Sequence, residues 1–258
     1  VHDSARYTSH VLMATDDACI EGYRELAQTC HAHGTLVLSQ IFHPGREIME
    51  SSDGLLAVAY SASAVPNERF RVMPRALDQA MIDEIVAGYA AAARRLHQAG
   101  IDGVEVVASH GYLPAQFINP RVNRRTDHYN GDLEQRLRFL REVIAAVRAS
   151  TDEQFIIGLR ISADERDPEG LSEDESLASV QALQGQLDYV HIVAGTSASL
   201  GGAVHIVPPM AIEAAYLARE AGTFKAGLNI PLFVTGRINQ PQEAELILAR
   251  GQADVCGM

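Results

Sequence analysis

Gly103–Phe139, GVEVVASHGYLPAQFINPRVNRRTDHYNGDLEQRLRF, is the stretch that decides the fold. Val104–Val107 reads as a buried strand. His110-Gly111-Tyr112-Leu113 follows at once, then a polar loop dense in Asn, Arg, Thr and Asp. Leu133 opens an amphipathic helix over Leu133–Ala149, with Asp132 as N-cap and Gln135 completing a capping box. The order strand, polar side chains, loop, helix places chemistry at the C-terminal end of a strand in a parallel α/β fold.

The same alternation runs outward in both directions. Helical periodicity covers Ala18–His33, ended by Gly34, and Leu77–Gln98, ended by Gly100. Further helices are expected over Ser172–Gln184 with Ser172 as N-cap, over Ala211–Ala226, and over Gln242–Ala249 just after Pro241. Apolar runs at Thr35–Ile41, Gly103–Val107, Phe155–Ile161, Tyr189–Val193, Leu232–Thr235 and Ala253–Cys256 read as strands. Phe42–Arg75 is a long loop, a length unusual without a role in binding. Gly195–Pro209, GTSASLGGAVHIVPP, is a second long loop. Repeated βα units imply a parallel sheet, closed as a (β/α)8 barrel or left open and doubly wound. No G-x-G-x-x-G follows a strand, which weakens the dinucleotide-binding alternative. About six of the eight βα units of a barrel are visible.

Composition narrows the partners. The chain has 258 residues and 47% hydrophobic content, enough for one large core spanning 1–258. A net charge of −12 disfavours nucleic acid and anionic membrane surfaces, which reward Lys and Arg. Cys19, Cys30 and Cys256 lie far apart with no C-x-x-C, so spacing supplies no metal or cluster site, and an odd count suits a reducing compartment. No apolar run approaches the roughly 20 residues that span a bilayer. Val1-His2-Asp3 carries no signal-peptide pattern. These features point to a cytoplasmic setting, and the missing Met and missing strands suggest a fragment.

Polar groups recur where strands end: Gln40 and His43, His110 and Tyr112, Arg160, the loop holding His205, and Gly236-Arg237. In a parallel barrel that face carries the site. Each has a plain structural reading as well. Gln40 can cap backbone groups, and His110 and His205 can be ordinary buried or loop histidines. Arg160, among apolar residues in GLRIS, needs a polar or anionic partner, for which Glu105 is a candidate. Gly236-Arg237 follows a late strand, where barrel loops often hold phosphate through backbone N–H groups.

The pattern HGYL-x-x-QF-x-x-P-x-x-N-x-R-T-D-x-Y-x-G-x-x-x-x-R over 110–136 resembles the signature of Old Yellow Enzyme-like NADH:flavin oxidoreductases. The wording of Asp188–Ala218, Phe233–Glu245 and Gly251–Met258 looks most like the branch that demethylates dimethylglycine and N-methylproline. The resemblance implies an incomplete (β/α)8 barrel, an FMN-binding domain whose first two strands precede Val1 and whose closing strand runs past Met258. It implies that Gln40 pairs with the flavin pyrimidine edge, that Arg160 lies beside N1 and O2, and that Gly236 and Arg237 form half of the phosphate site. His110, Tyr112 and His205 become the catalytic candidates, Tyr112 matching the family's proton donor. Arg124, Thr126, Asp127, Tyr129, Gly131 and Arg136 are read as structural braces of the loop. One position departs from the ene-reductase branch: Val107 stands where a hydrogen-bond donor helps His110 grip a carbonyl oxygen.

The expected activity is FMN-dependent oxidation of an N-methyl amino acid such as dimethylglycine. The alternatives are NAD(P)H-dependent reduction of an activated C=C bond and a flavin-free barrel, either a scaffold or a Schiff-base aldolase. Relatives often continue into an iron–sulfur segment and an FAD- or NAD(P)H-binding domain, so those cofactors would lie outside this chain. The expected partners are a small-molecule substrate and either a second copy of the chain or an electron-transfer protein. The piece by itself is expected to bind FMN poorly.

Overall fold

The computed structural model describes residues 1–8, 10–48 and 58–258. In chain order the elements are α1 (Cys19–His31), β1 (Leu38–Ile41), β2 (Tyr60–Ser61), β3 (Arg75–Ala76), α2 (Gln79–Gln98), β4 (Gly103–Ala108), α3 (Leu113–Ile118) and α4 (Leu133–Ala149). Then follow β5 (Ile156–Asp164), α5 (Glu173–Leu183), β6 (Tyr189–Ala194), α6 (Leu200–Ala203), α7 (Ala218–Gly227), β7 (Leu232–Thr235), α8 (Pro241–Ala249) and β8 (Val255–Gly257).

Six strands form one parallel sheet in the order β1-β4-β5-β6-β7-β8. The sheet curls into an incomplete (β/α)8 barrel; among the described residues its end strands, β1 and β8, do not pair with each other. The two-residue period of a strand sorts the side chains onto two faces. Ile41, Val104, Val106, Ile157, Leu159, Ile161, Val190, Ile192, Leu232 and Val234 are buried on one face and join the core with the helices. The other, concave face carries Gln40, Glu105, Arg160, Tyr189, His191 and Thr235, and the parallel register aligns Gln40 with Glu105 and Arg160 with His191. No helix among the described residues is long and apolar enough to cross a membrane.

Local chemistry accounts for the best-placed helices. Asp132 caps α4, and its capping box with Gln135 is complete. Ser172 does the same for α5 with Glu175. Pro241 is the first residue of α8, where its missing N–H costs nothing.

Four expectations are corrected. Phe42–Arg75 is not strandless: β2 pairs in parallel with β3 just beyond it, while residues 49–57 of that loop lie outside the described set. Leu113–Ile118, read as loop, is a short helix with every residue buried. The helix expected over Ala211–Ala226 begins only at Ala218, because Ala215 sits at φ +53° and donates its N–H to the Arg237 carbonyl. The brace of the Asn- and Arg-rich loop is Arg125 rather than Arg124. Arg125 pairs with Asp127 and donates to the Ala62 and Leu77 carbonyls, whereas Arg124 is exposed. Tyr129 and Arg136 brace as expected, through Glu142 and through the Ile118 and Gly131 carbonyls.

Candidate active site

Glu105, in the middle of β4, organises the concave face. Its Oε1 accepts from Gln40 Nε2 at 2.7 Å and lies 3.7 Å from Arg160 Nη1. Its Oε2 accepts from the Tyr189 hydroxyl at 2.9 Å and lies 3.0 Å from His191 Nδ1. His191 Nε2 continues to Thr235 Oγ1 at 2.8 Å, so one polar chain links β1, β4, β6 and β7. Burial pushes the Glu105 carboxyl up, but His191, Tyr189 and Arg160 outweigh it and hold the group below its usual value. The reach from β6 to β4 requires Gly158 between them: a Cβ there would lie 2.0 Å from Tyr189 Cζ.

Arg160 keeps about 20% of its side chain exposed on this face, and among the described residues its one acidic partner is the shared Glu105. The guanidinium therefore has donors free for an acceptor-rich ligand. Gln40 spends one amide hydrogen on Glu105, which turns its oxygen and remaining hydrogen to other partners. An amide and a guanidinium side by side match the alternating donors and acceptors of a flavin pyrimidine edge. In chemical type, these residues fit FMN.

The His110–Tyr112 hairpin sits at the end of β4. His110 has φ +61° and Gly111 φ +75°, two consecutive left-handed residues; the conformation is costly for histidine. It is held by His110 N donating to Ser162 Oγ at 3.0 Å and Ser197 N donating to the His110 carbonyl at 2.9 Å. Gly111 is required, since a Cβ would lie 2.4 Å from Thr196 Oγ1. The His110 ring is buried, its Nδ1 without a hydrogen-bond partner. Burial, reinforced by the Arg160 charge, lowers its pKa to about 4, against a weaker opposing pull from the Gly195 carbonyl. Tyr112 packs its ring 5.3 Å from Phe42 and 6.0 Å from both Tyr7 and His110. Burial, then Tyr7, raises its pKa, so the phenol keeps its proton.

The other predicted residues stand apart from this hairpin. His205, half-buried, faces Arg166, Asp164 and Tyr216, whose hydroxyl donates to its carbonyl at 2.7 Å. Burial and then Arg166 lower its pKa, with Asp164 opposing. Among the described residues it makes no hydrogen bond or ring contact with His110 or Tyr112. Gly236 is buried where a Cβ would meet Leu217 at 2.9 Å. Arg237, at φ +53°, donates Nη1 to the Ile212 carbonyl at 2.6 Å.

A second buried acidic centre lies beneath the hairpin. Glu165 accepts from Leu171 N at 2.9 Å. Glu47 accepts from Asn67 Nδ2 at 2.9 Å and lies 3.4 Å from Arg46 Nε. Burial raises Glu47 to about 8 and Glu165 to about 7, with Arg46 opposing in both cases. Glu105 was expected only as a partner for Arg160, and the 3.7 Å pair bears that out; Tyr189, His191, Glu47 and Glu165 were not among the sequence candidates. The i, i+2 alternation of Tyr189 and His191 on one strand face was the available signal for the first group.

The family model for the NADH:flavin oxidoreductase / NADH oxidase family matches residues 1–258. The chain belongs to that family. A metal reductase of Desulforamulus reducens is 37% identical over 94% of this chain and 36% of its own length. An N,N-dimethylglycine/sarcosine dehydrogenase of Chromohalobacter salexigens is 31% identical over 94% of this chain and 35% of its own. Among solved structures, a complex of 2-naphthoyl-CoA reductase with 2-naphthoyl-CoA superposes with a TM-score of 0.85 at 25% identity, covering 98% of this chain and 40% of that one. The chain thus spans about 36% of the length of the first of these curated relatives.

Proposed function

We propose that residues 1–258 are the greater part of an FMN-binding barrel domain, and that the protein oxidises an N-methyl amino acid such as dimethylglycine. Gln40 and Arg160 would hold the pyrimidine edge of FMN, and Gly236 and Arg237 would hold part of its phosphate. Bound there, FMN supplies the two-electron redox chemistry. Substrate loses hydride from its N-methyl carbon, and the resulting iminium takes up water to give formaldehyde and the demethylated amine.

The observation that carries the amine reading is the state of His110. Hydride loss needs the nitrogen lone pair, so the amine must react neutral. The burial and Arg160 charge that drive His110 from 6.5 to about 4 would act on an ammonium bound beside it. His110, already neutral, accepts a hydrogen bond there, while Tyr112 retains its proton and donates one. His205 is kept as a third candidate, on the β6 loop. The dimethylglycine-oxidising relative supports the same choice.

Reduction of an activated C=C bond is the second reading, favoured by the 2-naphthoyl-CoA reductase among the similar solved structures. Val107 opposes it: this apolar residue, 4% exposed and paired with Arg160 across the sheet, cannot donate to a carbonyl oxygen. A Schiff-base aldolase is not supported, because the chain's single Lys, Lys225, lies on α7 and pairs with Asp254 at 2.7 Å.

The test is an anaerobic visible spectrum of the full-length natural protein before and after adding dimethylglycine. Bleaching of a flavin spectrum is the expected result. Bleaching by NAD(P)H alone would move the assignment to C=C reduction, and a colourless protein would remove the flavin reading. Tyr112→Phe and His205→Ala should each slow the bleaching, by roughly 10²-fold for a group that handles a proton. Unchanged rates in both variants would remove the two residues from the mechanism.

A further inference from the structure

We infer that Glu105 is a positioning residue that fixes the attitudes of Gln40 and Arg160 and sets the charge they present at the flavin edge. The inference rests on the flavin reading. Its basis is geometric. Among the described residues, Glu105 is the one group on the concave face that touches Gln40 and Arg160 together, 2.7 Å from the first and 3.7 Å from the second. Donating Nε2 to Glu105 fixes which end of the Gln40 amide turns outward, because the carboxylate can only accept. An unanchored amide could present either end, and half of its orientations would mismatch the flavin edge.

The remaining lone pairs of Glu105 are occupied from the far side. Tyr189 and His191 reach its other oxygen, at 2.9 and 3.0 Å, from β6, two strands away. Gly158 leaves the space that lets the Tyr189 ring cross β5. Thr235 in turn holds His191 at 2.8 Å. The carboxylate is thus clamped on one oxygen by Tyr189 and His191, leaving the other aimed at the two ligand-reading groups. Such outer support is how a binding constellation is held to within a fraction of an ångström. The clamp also partly neutralises Arg160. A carboxylate 3.7 Å from that guanidinium tempers the positive field that would stabilise an anionic reduced ring.

A merely structural Glu105 would alter stability and leave the cofactor's redox poise untouched, which gives the test its readout. In the full-length flavoprotein, Glu105→Gln keeps an acceptor for Tyr189 but removes the negative charge. Its flavin midpoint potential should rise, by at least tenfold in the ratio of reduced to oxidised FMN affinities, or about 30 mV for a two-electron couple. Tyr189→Phe keeps the charge and loosens the clamp, so it should weaken FMN binding several-fold with a smaller shift in potential. It also serves if Glu105→Gln does not fold. A folded Glu105→Gln variant with wild-type potential and FMN affinity would overturn the inference. So would a Tyr189→Phe variant with wild-type FMN affinity, should Glu105→Gln fail to fold. A wild-type protein without flavin would overturn the underlying reading instead, a result visible before any variant is made.

Discussion

Two buried acidic centres, one in the middle of the sheet and one past its strand ends, behave in opposite ways. Glu105 and the pair Glu47 and Glu165 are all removed from water, and burial pushes each carboxyl up. At Glu105 a histidine, a tyrosine, an amide and a guanidinium share the two oxygens, and the carboxyl ends below its ordinary value. At Glu47 and Glu165 one oxygen of each has no hydrogen-bond partner, and the groups end near 8 and 7. Partners, not depth, decide whether a buried carboxyl is charged. The centre held below its ordinary value stands where the proposed cofactor is read, and the one that burial raises stands under the hairpin that carries the catalytic candidates.

The contrast breaks most clearly at Glu105. Glu105→Ala strands a buried guanidinium, a hydroxyl and an imidazole at once, and should cost about 3–5 kcal/mol in urea unfolding. Glu47→Gln, which replaces a carboxyl already largely protonated at pH 7, should cost far less. Equal losses would show that the two centres do not differ as described.

Gly158→Ala probes the route by which Tyr189 reaches Glu105. The new Cβ would lie 2.0 Å from the ring, and overpacking of this kind should cost about 1–3 kcal/mol. Combined with Tyr189→Ala, the glycine change should add little further, a coupling readable in a double-mutant cycle.

The last effect is a slope, spread over several pH units. The Glu47 carboxyl is 4.5 when unfolded and about 8 when folded, so the folded state holds a proton that the unfolded state releases. Its contribution to stability is complete below pH 4.5 and is lost as pH rises through 8. Glu105 has the opposite sign, its contribution being present above the unfolded value and lost as pH falls through the folded one. Glu47→Gln should therefore flatten the decline of stability between pH 4.5 and 8 by up to about 1.4 kcal/mol per pH unit. An unchanged slope in urea unfolding would show that Glu47 is ionised throughout.

Most of the fold was legible in the sequence. α4 and β7 fall where their capping box and apolar run place them. The errors share a cause, which is tertiary context overriding local pattern. α3 is buried throughout, so its six residues carry no amphipathic stripe, and the expected start of α7 is undone by a turn that Arg237 holds from β7's far end. The candidate site was legible at strand ends, where polar residues stand out from apolar runs. It was less legible in mid-strand, where Glu105 was foreseen only as a partner for Arg160 and His191 looks like an interruption of a core strand until the parallel register lines it up. Glu47 and Glu165 lie 118 positions apart along the chain, and no spacing rule connects them.

The gap at Gly158 has an evolutionary meaning. A ring that crosses a neighbouring strand is bought with the side chain missing from that strand, so Tyr189 and Gly158 should change together. A descendant that fills position 158 first loses the hydroxyl at Glu105, and one that shrinks position 189 first inherits a hole. Lineages that keep this arrangement should keep both residues, and those that abandon it should lose both.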